Sequence, residues 1–164
     1  MEPTTLFNIL ISILLIKFVL DTVLNHLNAK HFNDTPPNEV SDVYEIDEYR
    51  KSQQYKKTNH NFNIFSSLFS LLTILSFFFF NGFLMLDNFA RGFSDNTITT
   101  TLIFFGIISI GSDIISIPFS LYKTFVIEGG FGFNKTSKKT FFLDKLKGLL
   151  MTIFLGGAII ALIT

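Results

Sequence analysis

FNIFSSLFSLLTILSFFFFNGFLML, residues Phe62 to Leu86, runs for 25 residues without one charged side chain. About 20 apolar residues in a helix cross a hydrocarbon core of roughly 30 Å, so this stretch alone is long enough to span a bilayer. As a buried helix of a soluble protein it would need a polar face, and Leu71 to Phe80 offers almost none.

Other runs repeat the pattern on either side. Leu102 to Val126 is of equal length and carries only Asp113 and Lys123, the lysine near enough to the end to snorkel to the interface. Thr5 to Leu24 is apolar apart from Asn8, Ser12, Lys17 and Asp21, and Leu146 to Ile163 has a single charge, Lys147. The first run is read as a span rather than a signal peptide: Glu2, and no Lys or Arg, precedes it, and no small-residue cleavage pattern follows. These runs predict an all-α polytopic integral membrane protein. It has about four transmembrane helices, near 5–24, 62–86, 102–126 and 146–163, with a polar loop, 31–61, between the first two.

Composition agrees. Of 164 residues 48% are hydrophobic and 22 are Phe, there is no Cys or Trp, and 13 basic side chains balance 13 acidic ones. Disordered chains are poor in aromatics, disulfide scaffolds need cysteine, and binding to nucleic acid by charge needs a basic excess. The expected partner is the lipid bilayer, with no nucleic acid.

The zero net charge conceals an asymmetry. No Lys or Arg precedes the first span, and only Arg91 lies between the second and third. The first loop holds Lys30, Arg50, Lys51, Lys56 and Lys57, and the last holds Lys135, Lys138, Lys139, Lys145 and Lys147. Cytoplasmic loops carry the Lys/Arg excess. The expectation is therefore that both chain ends lie outside and the first and third loops lie in the cytoplasm, in a membrane of the bacterial inner-membrane or endoplasmic reticulum type.

In the first loop, Pro36-Pro37 excludes helix. Helix is expected to resume after Ser41 as N-cap, with Asp42 and Glu45 early and the basic residues late, as the helix dipole favours. Asp47 and Lys51 are placed to pair at i, i+4. The tyrosines Tyr44, Tyr49 and Tyr55 suit either packing at the membrane surface or a solvated connector.

The third loop reads Glu128-Gly129-Gly130-Phe131-Gly132-Phe133-Asn134-Lys135-Thr136. Its glycines allow backbone angles closed to other residues, while Phe131 and Phe133 require a partner. The glycine spacing matches neither a Walker loop nor a dinucleotide fingerprint.

Within the spans, Gly106, Ser109, Asp113, Ser116 and Ser120 recur at alternating spacings of three and four and so share one helical face. That face allows close packing and places Asp113 near mid-membrane, where ionisable groups face the bundle interior or a water-filled cavity. Asp113 is read as part of a solvated wall or as a partner for Lys17 ahead of a catalytic or proton-carrying role, and Lys17 and Asp21, one turn apart, are also able to neutralise each other. Pro118 is a site for a kink. Ser66, Ser70, Thr73 and Asn81 make a similar stripe on the second span, and Gly148, Thr152 and Gly156 form a packing ridge on the fourth.

No His-Glu-x-x-His pair of zinc ligands occurs, and His26, His31 and His60 have no carboxylates arranged with them on one helical face. A nucleophile elbow is also missing. The residues themselves assign no catalytic and no metal-binding position.

Several segments together resemble the amino-terminal membrane region of the CAAX prenyl protease 1 family. They are Ser116-Ile117-Pro118-Phe119-Ser120-Leu121-Tyr122-Lys123-Thr124-Phe125-Val126-Ile127-Glu128, then Gly132-Phe133-Asn134-Lys135-Thr136, then Phe141-Phe142-Leu143-Asp144-Lys145-Leu146-Lys147-Gly148. Glu48-Tyr49-Arg50-Lys51-Ser52-Gln53-Gln54-Tyr55 in the first loop is similar to the family's stretch there. The resemblance implies an integral-membrane zinc metallopeptidase whose helices enclose a water-filled chamber, and which removes the carboxyl-terminal tripeptide of prenylated CAAX proteins. It implies that zinc and its ligands belong to the full-length family member, beyond Thr164, so no cofactor is expected in this chain. It also implies Asp113, Glu128, Asn134 and Lys135 as candidate chamber or loop contacts, and as partners a carboxyl-terminal catalytic part and a peptide or CAAX-type substrate. Gly129-Gly130 stands where relatives carry an acidic-basic pair, so a salt bridge or substrate contact there would be lost.

The expectation is thus an inactive amino-terminal module, residues 1–164, of such a protease, stopping after its fourth span as a fragment or separately encoded half would. The alternatives are a small four-span transporter with Asp113 as its coupled site, and a non-catalytic membrane assembly factor working through the first loop.

Overall fold

The computed structural model describes residues 2–32 and 45–163. Pro36-Pro37, Ser41, Asp42 and Tyr44, on which expectations were placed above, lie outside the described residues. What is described is helical: α1 Pro3–Ala29, α2 Ile46–Phe79, α3 Gly82–Arg91, α4 Thr97–Leu121, a π-helical segment Tyr122–Glu128, α5 Lys138–Met151, a second π-helical segment Thr152–Gly156, and α6 Gly157–Ile163.

Four continuous helices, Thr4–Ala29, Ile46–Phe79, Thr97–Glu128 and Lys138–Ile163, are long and apolar enough to cross a membrane. No residue in the most apolar window of any of them is buried. The buried described residues are only Gln53, Ala90, Thr100, Ile127 and Phe141, while Phe65, Ile114 and Phe154 are 62%, 61% and 79% exposed. A soluble protein does not leave apolar surface on this scale open to water; lipid is the solvent that this exterior fits.

The boundaries differ from the sequence expectation in three places. The second span is part of a helix that begins at Ile46 and ends at Phe79, rather than running from 62 to 86. At 34 residues and 1.5 Å per residue this helix is about 51 Å long, well beyond a hydrocarbon core of roughly 30 Å. Its polar first half is therefore an extension of the span, where a loop to residue 61 was expected. The helix ends because Asn81 takes the left-handed conformation, φ 56°, which asparagine tolerates at a helix C-terminus. Gly82 follows because a Cβ there would sit 3.1 Å from the Phe77 backbone Cα. Asn81 thus leaves the polar stripe assigned to it. Ser70, Thr73 and Ser76 donate to the carbonyls of Ser66, Phe69 and Leu72 on their own helix, which satisfies these hydroxyls without a partner helix.

The third span starts earlier, at Thr97, capped by Asn96 Oδ1, which accepts from the Thr99 amide at 3.1 Å. The helix passes through Pro118 and widens to π geometry from Tyr122. The fourth starts at Lys138, where Ser137 Oγ accepts from the Thr140 amide at 3.1 Å.

Two compact units make up the chain. One comprises the residues up to Ser76 together with Lys123–Phe133; the other comprises Phe77–Tyr122 and Asn134 onward. In the second unit α3 packs on α4 and α6 on α4, with Gly157 close to the Leu102 side chain, 3.8 Å from where a Cβ would lie. The expected ridge Gly148, Thr152, Gly156 does not pack: a Cβ at Gly148 or Gly156 would meet nothing within 4 Å. The π turn at Thr152–Gly156 is the reason, because it adds backbone per turn and so moves the packing glycine out of the i, i+4 register. Gly106 is likewise open, with nothing within 4 Å.

Candidate functional site

The first unit holds a polar cleft between two membrane-crossing helices. On α1, Lys17, Asp21, Asn25 and Asn28 fall on one face. On α2, Asn59, Asn63, Ser66 and Ser70 do the same, below Tyr55. Lys17, Asp21, Asn25, Asn63, Ser66 and Ser70 line a space of about 380 Å³, and a second space of about 490 Å³ shares Asn25 and Asn63 and continues toward the polar end of α2. Lys17 and Asp21 form an ion pair at 2.5 Å across one helical turn. This is the pairing that the spacing allowed within α1. Two charges inside a span are costly unless they pair and face a cavity, and both conditions hold here.

Around the polar end of α2, the Glu128–Phe133 loop closes on Tyr55. Glu128 ends the π segment, and its carbonyl accepts the Phe133 amide at 2.8 Å while the Gly129 carbonyl accepts the Gly132 amide at 3.1 Å. With Gly132 at φ 78°, this is a Schellman helix cap with glycine at its left-handed position. Of the loop's three glycines only Gly132 needs to be one. A Cβ at Gly130 would meet nothing within 4 Å, and one at Gly129 only an ordinary contact at 3.7 Å. The cap presents Phe131 and Phe133 to Tyr55, edge to face, with centroids 5.4 and 4.9 Å away. Lys51 Nζ lies 5.8 Å from the Phe133 ring centroid. The expected Asp47–Lys51 pair is not formed; Lys51 turns to the aromatic ring instead.

Of the four candidate contacts, Glu128 belongs to this cap and is half-buried. The other three lie in the second unit, and no hydrogen bond or ion pair joins any two of them among the described residues. Asn134 is used locally: its Oδ1 accepts from the Thr136 amide at 2.7 Å and its Nδ2 donates to the Thr136 carbonyl at 3.3 Å. Lys135 is exposed. Asp113 is half-buried on α4, as are Gly106, Ser109, Ser116 and Ser120, whereas Ile110, Ile114 and Ile115 are exposed. The small and polar face therefore points inward and the isoleucines outward. The residues missed by sequence reasoning are Asn25, Asn28, Asn59 and Asn63. Their signal was the continuation of the Lys17–Asp21 spacing along α1 and of the Ser66–Ser70 spacing back along α2.

Among the described residues no three His, Asp or Glu side chains converge on a point that would hold a metal ion. The residues present do not fit a zinc centre.

Apolar exteriors on four long helices, with an ion pair and amides turned into a cleft, define a polytopic membrane protein with a polar interior. Residues 24–164 match the family model described as the CAAX prenyl protease N-terminal region with five membrane helices, and the chain belongs to that family. It is 32% identical over 153 residues to a CAAX prenyl protease 1 homolog of Caenorhabditis elegans, covering 92% of this chain and 34% of the relative. It is 26% identical over 157 residues to the CAAX prenyl protease 1 of Saccharomyces cerevisiae, covering 89% and 35%. The crystal structure of S. mikatae Ste24p superposes with a TM-score of 0.87 at 27% identity, over 99% of this chain and 39% of that one. The chain thus spans about a third of the length of these relatives.

Proposed function

We propose that residues 1–164 form the amino-terminal transmembrane domain of a CAAX prenyl protease 1-like zinc metalloendopeptidase. On this reading the domain supplies chamber wall and substrate-access region, and the zinc-bearing remainder of the full-length protease supplies the chemistry. The α1–α2 cleft carries the proposal: it puts an ion pair, two asparagines and two serines on one wall inside otherwise apolar spans. Such a wall suits a water-filled chamber and is poorly suited to lipid. Asp113, on the inward face of α4, and Glu128, Asn134 and Lys135 at the third loop are the proposed chamber or loop contacts for a peptide or CAAX-type substrate. The Lys/Arg asymmetry supports a cytoplasmic position for the polar end of α2 and for the third loop, with both ends of the chain outside. No catalytic step is assigned to this chain, because its side chains do not gather as metal ligands.

The test is co-expression of this chain with the catalytic remainder of the Caenorhabditis elegans relative. Co-purification and cleavage of a farnesylated CAAX peptide are expected only when both parts are present. Failure to associate, or zinc-dependent cleavage by this chain alone, would refute the division of labour. One observation favours a second reading: the Asp113 carboxylate has no side-chain partner among the described residues, as a proton-coupled transport site requires. If proton-driven uptake exists and is lost in Asp113→Asn, transport replaces the protease reading.

A further inference from the structure

The second space of the cleft has a chemistry that the chamber-wall reading does not use. Its 490 Å³ are lined by Lys56, Lys123 and His60 together with Asn25, Asn28 and Asn59, and no acidic residue is among the lining. Neither lysine has an ion-pair partner among the described residues. Lys123 comes to this space from the π-helical segment Tyr122–Glu128, and π turns recur at functional sites because they re-aim a side chain. His60 is held edge-on to Phe32, with centroids 6.3 Å apart. Asn59 Nδ2 donates to the Tyr55 carbonyl at 3.1 Å, while its Oδ1 is buried and accepts no hydrogen bond among the described residues. A buried acceptor without a donor is costly unless an occupant supplies one.

Two unpaired ammonium groups, amide donors and an unused acceptor together describe an anion that also carries a donor. Depth narrows the choice. The space lies where the charge-free stretch beginning at Phe62 meets the polar half of α2, and Lys123 falls near the end of the apolar run on α4. This is the level at which a spanning helix passes the headgroups.

We propose that the space between Asn25/Asn28 of α1 and Lys56/Asn59 of α2, closed by Lys123, binds a phosphate group bearing a hydroxyl donor. The phosphate oxygens take the lysines and asparagine Nδ2 groups, and the hydroxyl donates to Asn59 Oδ1. Phosphatidylglycerol in the surrounding leaflet and free hydrogen phosphate both present this chemistry.

Native mass spectrometry of the full chain released from detergent micelles distinguishes them, with phosphatidylglycerol, diacylglycerol and inorganic phosphate added in separate arms. A phosphatidylglycerol adduct that diacylglycerol does not reproduce is expected. Charge-assisted bonds to phosphate are about twice as strong as neutral ones, so Lys56→Gln/Lys123→Gln should reduce the adduct roughly tenfold or more. Asn59→Asp, of the same size but anionic, should do the same, whereas Lys138→Gln/Lys139→Gln, outside the cleft, should not. Displacement of the lipid by millimolar inorganic phosphate assigns the site to the free anion, and resistance to displacement assigns it to the headgroup. Equal retention by wild type and the double variant, or equal binding of diacylglycerol, overturns the proposal. Circular dichroism of each variant separates lost binding from lost folding.

Discussion

Replacing Tyr55 by Ala should release the Glu128–Phe133 cap from α2. Tyr55 meets Phe131 at 5.4 Å and 71°, and Phe133 at 4.9 Å and 75°. Edge-to-face pairs of this kind contribute about 0.5–1.5 kcal/mol each beyond area burial. Together they hold the cap by about 1–3 kcal/mol, which corresponds to an open population raised roughly 5- to 150-fold. Opening exposes the amides of Phe131 and Phe133, which are bonded to the Ile127 and Glu128 carbonyls at 3.2 and 2.8 Å. Hydrogen exchange of peptides covering residues 128–134, measured on the chain in lipid nanodiscs, reads that population. Tyr55→Leu, which keeps apolar contact without a ring, should fall between wild type and Tyr55→Ala. Lys51→Ala, which removes one exposed cation–π contact of about 0.5–1 kcal/mol, should accelerate exchange only about two- to fivefold. Unchanged exchange in Tyr55→Ala would show that the Schellman cap holds itself and that the aromatic cluster is incidental.

Three further outcomes follow from the same geometry. Asn81→Gly should raise the thermal midpoint in detergent, because glycine adopts φ 56° without the cost of about 1 kcal/mol that a Cβ imposes; a lowered midpoint would mean that the Asn81 side chain contributes something not seen here. Gly132→Ala should destabilise the cap by about 1–2 kcal/mol through its backbone angle alone, since the new Cβ would find only Lys51 Nζ at 3.7 Å; faster exchange at Phe133 checks it. For the Lys17–Asp21 pair, Lys17→Met and Asp21→Leu should each lower yield and stability more than the two combined. A lone charge within a span costs about 2.5–3.5 kcal/mol on insertion scales, and a double-mutant cycle showing simple additivity would contradict pairing.

The spans were legible because a bilayer selects on composition along one dimension, which a charge-free run such as Leu71–Phe80 reports directly. The length of α2 was not inferred, although its sequence contains no Gly or Pro between Ile46 and Phe79. There a change from polar to apolar residues was taken for a change of structure, when it marks the helix leaving the membrane. Asn81 was counted in a stripe because spacing alone does not reveal a left-handed residue. The two π turns leave no pattern of their own, and each shifts the face that follows it, which is why Gly157 packs where Gly156 was expected. At the third loop the demand of Phe131 and Phe133 for a partner was readable, but Tyr55 as that partner was not, since the contact joins residues far apart in the chain. The four asparagines of the cleft were passed over for the opposite reason: each is unremarkable alone and meaningful only beside the facing helix.

Because the chain contains no cysteine, one labelling measurement tests the chamber wall directly. Ser67 lines the α1–α2 cleft, whereas Leu72 is 55% exposed and is not among the cleft's lining residues. Single-cysteine variants Ser67→Cys and Leu72→Cys, in native membranes, are treated with a membrane-impermeant thiol reagent from each side in turn. A water-filled cleft predicts modification of Cys at position 67, from the side of the Lys/Arg-rich loops, and none at position 72. Equal protection of both positions would contradict it and make α1–α2 an ordinary lipid-facing pair.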